Sequence, residues 1–235
     1  MVFNQNLWLR RKRDILAGDL AVGASVYLRE NGTPVEYLVI QHGNPDASLY
    51  DESCDGVWLL RKDIRDRRDW NGTYSNSYKS STIQSYLNNF LGLFDESVQN
   101  SIKQVNIPYV NGTGANGSVA SGPNGLPTKA FLLSLLEVGF KYSYTHVDGV
   151  CLDYFKGTTN APDSKRIAYY DGTATDWWLR SVMSSSTELV LVVDSIGSFI
   201  DRRPYSSDNA GARPALILPY NAILDPYTLI LKGVP

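Results

Sequence analysis

Residues 176–215 read DWWLRSVMSSSTELVLVVDSIGSFIDRRPYSSDNAGARPA, and this framed stretch decides how the second half of the chain folds. We call it framed because a distinctive motif stands at each end. Paired tryptophans and an arginine begin it, and a Gly-Ala-Arg-Pro turn ends it. Between them, residues 189–193 are apolar at every position, which is typical of a central strand covered on both faces. Residues 194–197 predict a turn, and a return strand begins at residue 198. We therefore expect a short sheet whose edges and loops face solvent.

The aromatic and basic residues of this stretch indicate how it is held. Trp177 and Trp178 are adjacent, so in a strand their rings point to opposite faces. Either both rings are buried, or one lies in the core and the other forms an exposed platform. Arg180 and Arg213 have apolar neighbours, and we interpret both as structural groups that bind loop carbonyls or carboxylates through paired hydrogen bonds.

The rest of the chain combines two helices with short strands. A hairpin is predicted at 23–43 around Asn31-Gly32. Ser80 and Ser81 can cap a helix at 82–91, and Asp95 opens a second helix that runs to about residue 103. The remaining segments are a strand at 57–60, a charged surface loop at 61–69, a Gly- and Asn-rich loop at 110–127, a buried strand at 130–133, a turn ended by Gly139 and a final strand at 215–218. This order indicates an α+β fold.

Composition and charge suit one large domain. The chain has 235 residues and a net charge of −2, so its overall charge does not suggest a nucleic-acid partner. No apolar run reaches the length of a membrane span, and the first residues do not read as a signal peptide. We assign residues 1–17 to an N-terminal arm and residues 18–235 to a single domain. The basic residues 10–13 are interpreted as a solvated part of the arm, with contact to phosphates or a partner as the alternative.

Motifs for chemistry are missing from the sequence. Neither His42 nor His146 has a second histidine or a cysteine at metal-ligand spacing, and both are interpreted as structural or surface histidines. Cys54 and Cys151 are expected to be buried free thiols, with a single disulfide as the alternative. Nucleotide-binding loops, nucleophile elbows and calcium loops are absent. We therefore predict no catalytic residues, no metal and no cofactor, and a binding protein becomes the leading class.

Candidate binding residues lie on the edges and loops of the predicted sheet. Tyr, Ser, Arg, Asn and Asp combine rigid aromatic area with adaptable hydrogen bonding, which suits recognition surfaces. Any polar loop shares part of this composition. The candidate ligand-binding residues are Ser184, Ser186, Glu188, Ser195, Phe199, Asp201, Arg202, Arg203, Tyr205, Ser206 and Asp208.

The framed stretch also resembles a known group of domains. Residues 176–181, a glycine at 197 and residues 211–219 resemble the C-terminal half of a domain family common in Firmicutes and their prophages. Its members adopt, or are assigned to, the C-type lectin fold in its formylglycine-generating-enzyme-like variety. The resemblance covers nearly the whole chain from about residue 18 and includes residues 50–62, 80–88, 130–139 and 148–155.

Some members of this group resemble the variable proteins of diversity-generating retroelements. In those systems adenine-directed mutagenesis rewrites chosen codons near the C-terminus while the scaffold stays fixed. Residues 184–210 contain no Lys, Gln, Trp or Met and a single Glu, which agrees with such codons. The resemblance implies a variable region at about 177–215 and a protein or glycan ligand on a host or target cell. It also implies synthesis in the cytoplasm and display on a phage virion, and it leaves homo-oligomer formation open.

The sequence lacks the motifs of two other branches of this fold, which argues against the activities of those branches. The enzyme branch needs a pair of active-site cysteines near its C-terminal end, and Cys54 and Cys151 do not match such a pair. The calcium-dependent sugar-binding branch uses Glu-Pro-Asn or Gln-Pro-Asp with Trp-Asn-Asp, and this sequence has none of them. The prediction is therefore a non-enzymatic receptor-binding or adhesin-like protein. The alternatives are a relative of the formylglycine-generating enzymes and an invariant structural protein of a phage tail.

Overall fold

The computed structural model describes residues 13–205 and 210–235, and it confirms the α+β class. Two helices, α1 (Thr82–Phe90) and α2 (Glu96–Ser101), lie among short strands. The strands of the first half are β1 (Ile15–Leu16), β2 (Ser25–Glu30), β3 (Thr33–His42), β4 (Val57–Arg61), β5 (Asp66–Arg67), β6 (Val105–Ile107), β7 (Tyr109–Asn111), β8 (Ser118–Ala120) and β9 (Leu126–Thr128). Those of the second half are β10 (Tyr169–Tyr170), β11 (Thr173–Ala174), β12 (Asp176–Val182), β13 (Val190–Val193), β14 (Phe199–Arg202), β15 (Ala210–Ala212), β16 (Ala215–Leu218), β17 (Ile223–Leu224) and β18 (Leu231–Gly233).

Two sheets organise the molecule, and the framed stretch takes part in both. The larger sheet has the order β14-β13-β12-β15-β5, in which β12 and β15 are parallel and the other pairs are antiparallel. The second sheet has the order β16-β4-β3-β2 and is antiparallel throughout. The chain passes between them from β4 to β5 and again from β15 to β16. In the Gly-Ala-Arg-Pro segment, the first two residues therefore end β15, and Arg213 and Pro214 form the second of these connections.

The centre of the larger sheet forms as its sequence predicts. All four residues of β13 are buried, and β14 returns antiparallel to it after the turn at 194–197. Trp177 and Trp178 are both fully buried in β12. Their indole N–H groups donate to the carbonyl oxygens of Arg166 (2.8 Å) and Arg68 (2.7 Å). Burial on both sides of the sheet is therefore the correct alternative for the tryptophan pair.

Local signals also place the first hairpin and the start of the first helix correctly. Asn31 and Gly32 have φ angles of 49° and 79°, which is the geometry of a tight two-residue hairpin turn. The Ser81 hydroxyl accepts a hydrogen bond from the Gln84 backbone N–H (3.2 Å) and caps α1. Helix α2 ends at Ser101, before the predicted residue 103, because Ile102 has extended backbone angles.

Two predicted segments have a different structure from the one expected. Residues 110–127 were predicted to form a loop, but they contain β8 and parts of β7 and β9. These strands have three residues each, which is too short to show a strand pattern among glycines and asparagines. Residues 130–133 were predicted to form a strand, but only Phe131 makes a bridge, to Ala215. Their apolar run reflects burial without a hydrogen-bonded ladder.

Two further boundaries need correction. The charged segment 61–69 is not only a loop, because it includes β5, which pairs with β15. Strand β16 at 215–218 is present, but it is not the last strand, because β17 and β18 follow it. Short edge strands such as these carry too few residues for a sequence pattern to reveal them.

The described part of the N-terminal arm is attached to the domain. Strand β1 pairs antiparallel with β17, and Ala17 is buried. Residues 10–12 of the basic cluster lie outside the described residues. Across the described ranges, no helix combines the length and the apolar character needed to cross a membrane.

Candidate ligand-binding face

A buried ion pair fixes the strand that begins the framed stretch. Arg180 on β12 and Glu137 are both fully buried and joined by two hydrogen bonds of 2.6 Å each. Arg180 also donates to the carbonyl oxygens of Pro108, Leu132 and Asp148, at 2.9, 2.8 and 2.7 Å. The arginine therefore joins three other segments to the central sheet, which confirms its interpretation as a structural residue.

The oxygens of this network accept further hydrogen bonds. Tyr50 donates its hydroxyl to Glu137 (2.7 Å), and the backbone N–H of Ser134 donates to the same carboxylate (2.8 Å). The Ser181 hydroxyl lies 2.9 and 3.0 Å from the two carboxylate oxygens of Asp148. Two buried acidic side chains thus lie near a single guanidinium, and only the Glu137 carboxylate accepts hydrogen bonds from it.

Asp148 is expected to make the stability of the protein depend on pH. Burial raises the pKa of Asp148 from its ordinary 3.8 to about 6; Arg180 and the Ser181 hydroxyl oppose the rise, and the Glu137 charge adds to it. The folded state then binds a proton more tightly than the unfolded state, so stability falls as pH rises from about 4 to about 6. Relative to the unsubstituted protein, Asp148→Asn is expected to gain on the order of 2 kcal/mol over this range, because asparagine does not ionise.

Urea unfolding at several pH values between 4 and 7, followed by tryptophan fluorescence, checks this expectation. Ser181→Ala is the matched control, because it keeps the carboxyl group and removes a hydroxyl that favours the charged form, so the fall with pH must persist. Parallel pH curves for the unsubstituted protein and Asp148→Asn would contradict the assignment.

Arg213 holds the other end of the framed stretch. It is buried, donates to the Arg61 carbonyl (2.9 Å) and stacks on Trp177, with its guanidinium carbon 4.8 Å from the ring centroid. Burial lowers the pKa of Arg213 to about 10, so the side chain remains charged at neutral pH. Its interpretation as a structural residue is confirmed.

Arg166 ties the tip of the β13–β14 hairpin to the core. This buried side chain donates to the carbonyls of Val138, Ala161, Thr159 and Gly197, at 2.7–3.2 Å. Because Gly197 belongs to the turn between β13 and β14, the guanidinium fixes the position of that turn. No sequence pattern had marked Arg166 for this role.

Gly197 is itself required by the close packing of the turn. Its φ of 79° lies in the left-handed region, and a Cβ built on it would stand 2.1 Å from the Asp163 carbonyl oxygen. Either condition disfavours any other residue. The Asp163 backbone N–H also donates to the Gly197 carbonyl, at 3.2 Å. The hairpin tip thus has a fixed place on the scaffold.

The loop from 183 to 189 is held mainly through its backbone. Asn76, which is buried, donates its side-chain N–H groups to the carbonyls of Ser186 (3.1 Å) and Leu189 (2.9 Å). The Asn76 backbone N–H donates to the Thr187 carbonyl (3.0 Å), and its side-chain oxygen accepts from the Gly114 N–H (2.9 Å). One buried asparagine therefore brings three segments of the chain together at this loop.

A row of aromatic rings borders the loop. The Phe199 ring lies between Phe140 and Tyr142, with centroid distances of 4.8 and 5.1 Å, and Tyr144 lies 5.5 Å beyond Tyr142. We call these four residues the aromatic row. The Ser184 backbone N–H donates to the Tyr144 carbonyl (2.8 Å), which joins the row to the loop. Tyr144 is 55% exposed, so the row ends in solvent.

A charged and aromatic group borders the same loop. Tyr205 and Tyr74 make an edge contact with centroids 4.4 Å apart, and Arg203 donates to the Tyr205 hydroxyl (2.7 Å). This hydrogen bond is the main reason that the pKa of Arg203 is raised, and the Glu188 charge adds to it. We call Tyr74, Glu188, Arg203 and Tyr205 the Arg203 cluster. The loop with its two borders is the candidate face.

The predicted binding residues differ in their exposure to solvent. Asp201 and Arg203 are exposed, whereas the other described candidates are half-buried. Ser186 accepts hydrogen bonds from the Glu188 and Leu189 backbone N–H groups (3.0 and 3.1 Å), so its side chain shapes the loop. The two predicted candidates that lie outside the described residues are Ser206 and Asp208.

Three of the half-buried candidates also contact the scaffold. Phe199 packs into the aromatic row, and Arg202 forms an ion pair with Asp176. The Ser195 backbone N–H donates to Asp176 (2.8 Å). Ser184 lies on the loop itself, as Glu188 does. The structure thus brings most of the described candidates to the loop and to the hairpin that follows it.

Sequence reasoning missed several residues of the candidate face. Tyr74 and Asn76 come from a segment roughly a hundred residues before the loop, so no local pattern connects them to it. The sequence pattern assigned no role to three aromatic residues that follow Gly139, namely Phe140, Tyr142 and Tyr144. Their spacing of two residues places the rings on one side of an extended chain, and that is the signal that could have found them.

Both histidines are hydrogen-bonded to the backbone in this structure. His42 and His146 each have a ring nitrogen in hydrogen-bond contact with a backbone carbonyl, of Leu20 (2.7 Å) and of Gly114 (2.8 Å). In residues 13–205 and 210–235, no three His, Cys, Asp or Glu side chains are grouped closely enough to hold a metal ion.

The cysteine prediction is half right. Both thiols are free, and Cys54 is buried, with a pKa that burial raises to about 12. Cys151 is exposed, contrary to the prediction that both are buried, because it lies on a loop at the surface. The alternative of a disulfide between them is not realised in this structure.

Comparison with known proteins gives a family without a known role. A family model described as a domain of unknown function, DUF6273, matches residues 55–220, which is more than two thirds of the chain. No curated protein and no solved structure matches the chain. The matched range contains the aromatic row, the Arg203 cluster and the Arg180–Glu137 ion pair.

Proposed function

Because the chain belongs to the DUF6273 family, whose function is unknown, we propose a role from its own surface: it is a non-enzymatic ligand-binding protein of receptor-binding or adhesin type. The candidate face binds a protein or glycan on a target cell. In this proposal the domain has a C-type lectin fold, and a diversity-generating retroelement of a phage or prophage varies the face. The fold part is supported by the α+β architecture and by the motifs at 176–181 and 211–219.

The observation that carries the proposal is a loop bonded through its backbone and bordered by exposed side chains. Asn76 and Tyr144 make their hydrogen bonds to backbone atoms of residues 184–189. Such bonds do not depend on which side chains the loop carries. Aromatic and arginine side chains beside a fixed backbone are the groups that dominate binding energies in recognition surfaces.

The same geometry separates positions that can vary from positions that cannot. The four residues of β13 are buried and Gly197 has no room for a Cβ atom, so substitution there disrupts the scaffold. Exposed positions away from such contacts carry little cost. Among the residues of the stretch that the structure describes, the exposed positions are Ser185, Thr187, Ile196, Ile200, Asp201 and Arg203.

The test compares sibling copies of the gene together with the cells that each encoded protein binds. Substitutions between copies are expected to concentrate on the exposed positions and the half-buried loop positions, and to change which bacterial strains are bound. For the present chain, Tyr144→Ala combined with Arg203→Ala is expected to weaken binding to a panel of Firmicutes cells at least about tenfold, measured by flow cytometry of labelled protein.

Tyr227→Ala is the control, because Tyr227 is also highly exposed and lies outside the candidate face. Substitutions spread evenly along the gene would remove the diversification part of the proposal. Unchanged cell binding by the double variant would instead favour an invariant structural protein.

A further inference from the structure

A surface hollow outside the candidate loop has the character of a small-molecule site. It has a volume of about 420 Å³ and lies between residues 136–141 and the loop 149–158. This volume falls in the lower part of the range for ligand pockets, which is about 300–1,000 Å³. The hollow is therefore large enough for a small organic molecule.

The floor of the hollow is apolar. Leu136, Phe140 and Val150 line it, and Phe140 is almost fully buried. The Arg166 guanidinium stacks on the Phe140 ring, with its central carbon 3.6 Å from the ring centroid, so the ring is supported from the core. Because the side chains at the base of the hollow are apolar and held in place, they favour a ligand with an apolar body.

The rim of the hollow carries a positive charge. Lys141 and Lys156 both line it, and both are exposed. Lys156 forms an ion pair with Asp153 (2.6 Å), whereas Lys141 has no ion pair with any described residue. Two ammonium groups are thus balanced by one carboxylate at the rim, and the remaining charge favours a ligand with a single negative charge.

Cys151 provides a chemical reporter inside the hollow. Its thiol is free and exposed, whereas the only other cysteine, Cys54, is buried. Burial raises the pKa of Cys151, and the charges of Lys156 and Arg166 oppose that rise. A molecule that occupies the hollow would cover this thiol and leave Cys54 unaffected.

We propose that this hollow binds a small carboxylic acid with an apolar body, such as an aryl carboxylate. The apolar part lies against Leu136 and Val150, beneath which the Phe140 ring is buried, and the carboxylate lies at the rim beside Lys141 and Lys156. This inference does not rest on the proposed function, because the residues altered to test that function do not line the hollow.

The experiment measures how fast iodoacetamide alkylates Cys151, by mass spectrometry of the intact chain, as phenylacetate is added as the probe. Phenylacetate is expected to slow the alkylation in a saturable way, and the neutral analogue phenylacetamide is expected to protect at least about tenfold more weakly, because it lacks the charge. Absence of protection at tens of millimolar phenylacetate, or equal protection by phenylacetamide, would overturn the proposal.

Substitution of the rim lysines completes the test. Lys141→Gln combined with Lys156→Gln is expected to raise the apparent dissociation constant of phenylacetate at least about tenfold while the chain stays folded, because both side chains are exposed. Lys79→Gln is the matched control, since it removes the same charge from an exposed lysine outside the hollow. An unchanged dissociation constant in the double variant would show that the rim does not bind the carboxylate.

Discussion

Arg180→Met is expected to destabilise the protein by about 3–5 kcal/mol. The substitution leaves Glu137 buried without its partner and leaves three backbone carbonyls without a donor. In a dry interior an unpaired charge costs more than the pair contributes. Urea unfolding followed by the fluorescence of the five tryptophans measures the change in the free energy of unfolding.

A double substitution separates the ion pair from the other bonds of Arg180. Arg180→Met with Glu137→Gln is expected to be less destabilised than the sum of the two single variants, because it leaves no unpaired charge between them. Lys62→Ala is the control, because it breaks the Lys62–Glu36 ion pair, which is partly exposed to solvent. It is expected to lower the free energy of unfolding by no more than about 1 kcal/mol. Additive effects of the two buried substitutions would contradict a direct coupling between Arg180 and Glu137.

Arg166→Met is expected to cost roughly 3–5 kcal/mol, because each buried carbonyl left without a donor costs about 1–3 kcal/mol and the four losses are not additive. Arg166→Lys is expected to recover only part of this loss. Lysine has a compact ammonium group and cannot stack on Phe140 as the planar guanidinium does. The same urea assay measures both variants.

A second readout locates the damage in the Arg166 variants. Amide hydrogen exchange at Gly197 and its neighbours is expected to accelerate more than exchange in β3, because the turn loses its bond to the core. Lys165→Met is the control, since Lys165 is the exposed neighbour of Arg166 in sequence. Uniform acceleration across the chain would show that Arg166 supports the whole fold and not this turn in particular.

The sequence predicted those parts of the fold that depend on local patterns. The buried run of β13, the paired tryptophans and the turn at Asn31-Gly32 each follow from neighbouring residues alone. The roles of Arg180 and Arg213 were also predicted, because a basic residue among apolar neighbours must find acceptors when it is buried. The identity of those acceptors was not predictable, since Glu137 lies 43 residues from Arg180.

The candidate site was predicted only in part, for the same reason. The sequence predicted binding residues on the loops around β13, and the structure adds the borders of the candidate face from distant segments. Asn76 bonds to Ser186 and Leu189, which follow it by 110 and 113 positions in the sequence. No local pattern can reveal such a pairing. Three-residue strands and the exposure of Cys151 likewise depend on which distant segments pack nearby.

If the 183–189 loop binds a ligand as proposed, its backbone hydrogen bonds also lower the entropy cost of that binding. A loop that becomes ordered only when it meets its ligand loses roughly 1–2 kcal/mol for every residue that is fixed. Here Asn76 and the Tyr144 carbonyl already hold the loop before any ligand arrives. Under the proposed function, each new set of side chains would start from an ordered backbone, and differences in affinity between sets would arise from the contacts that those side chains make.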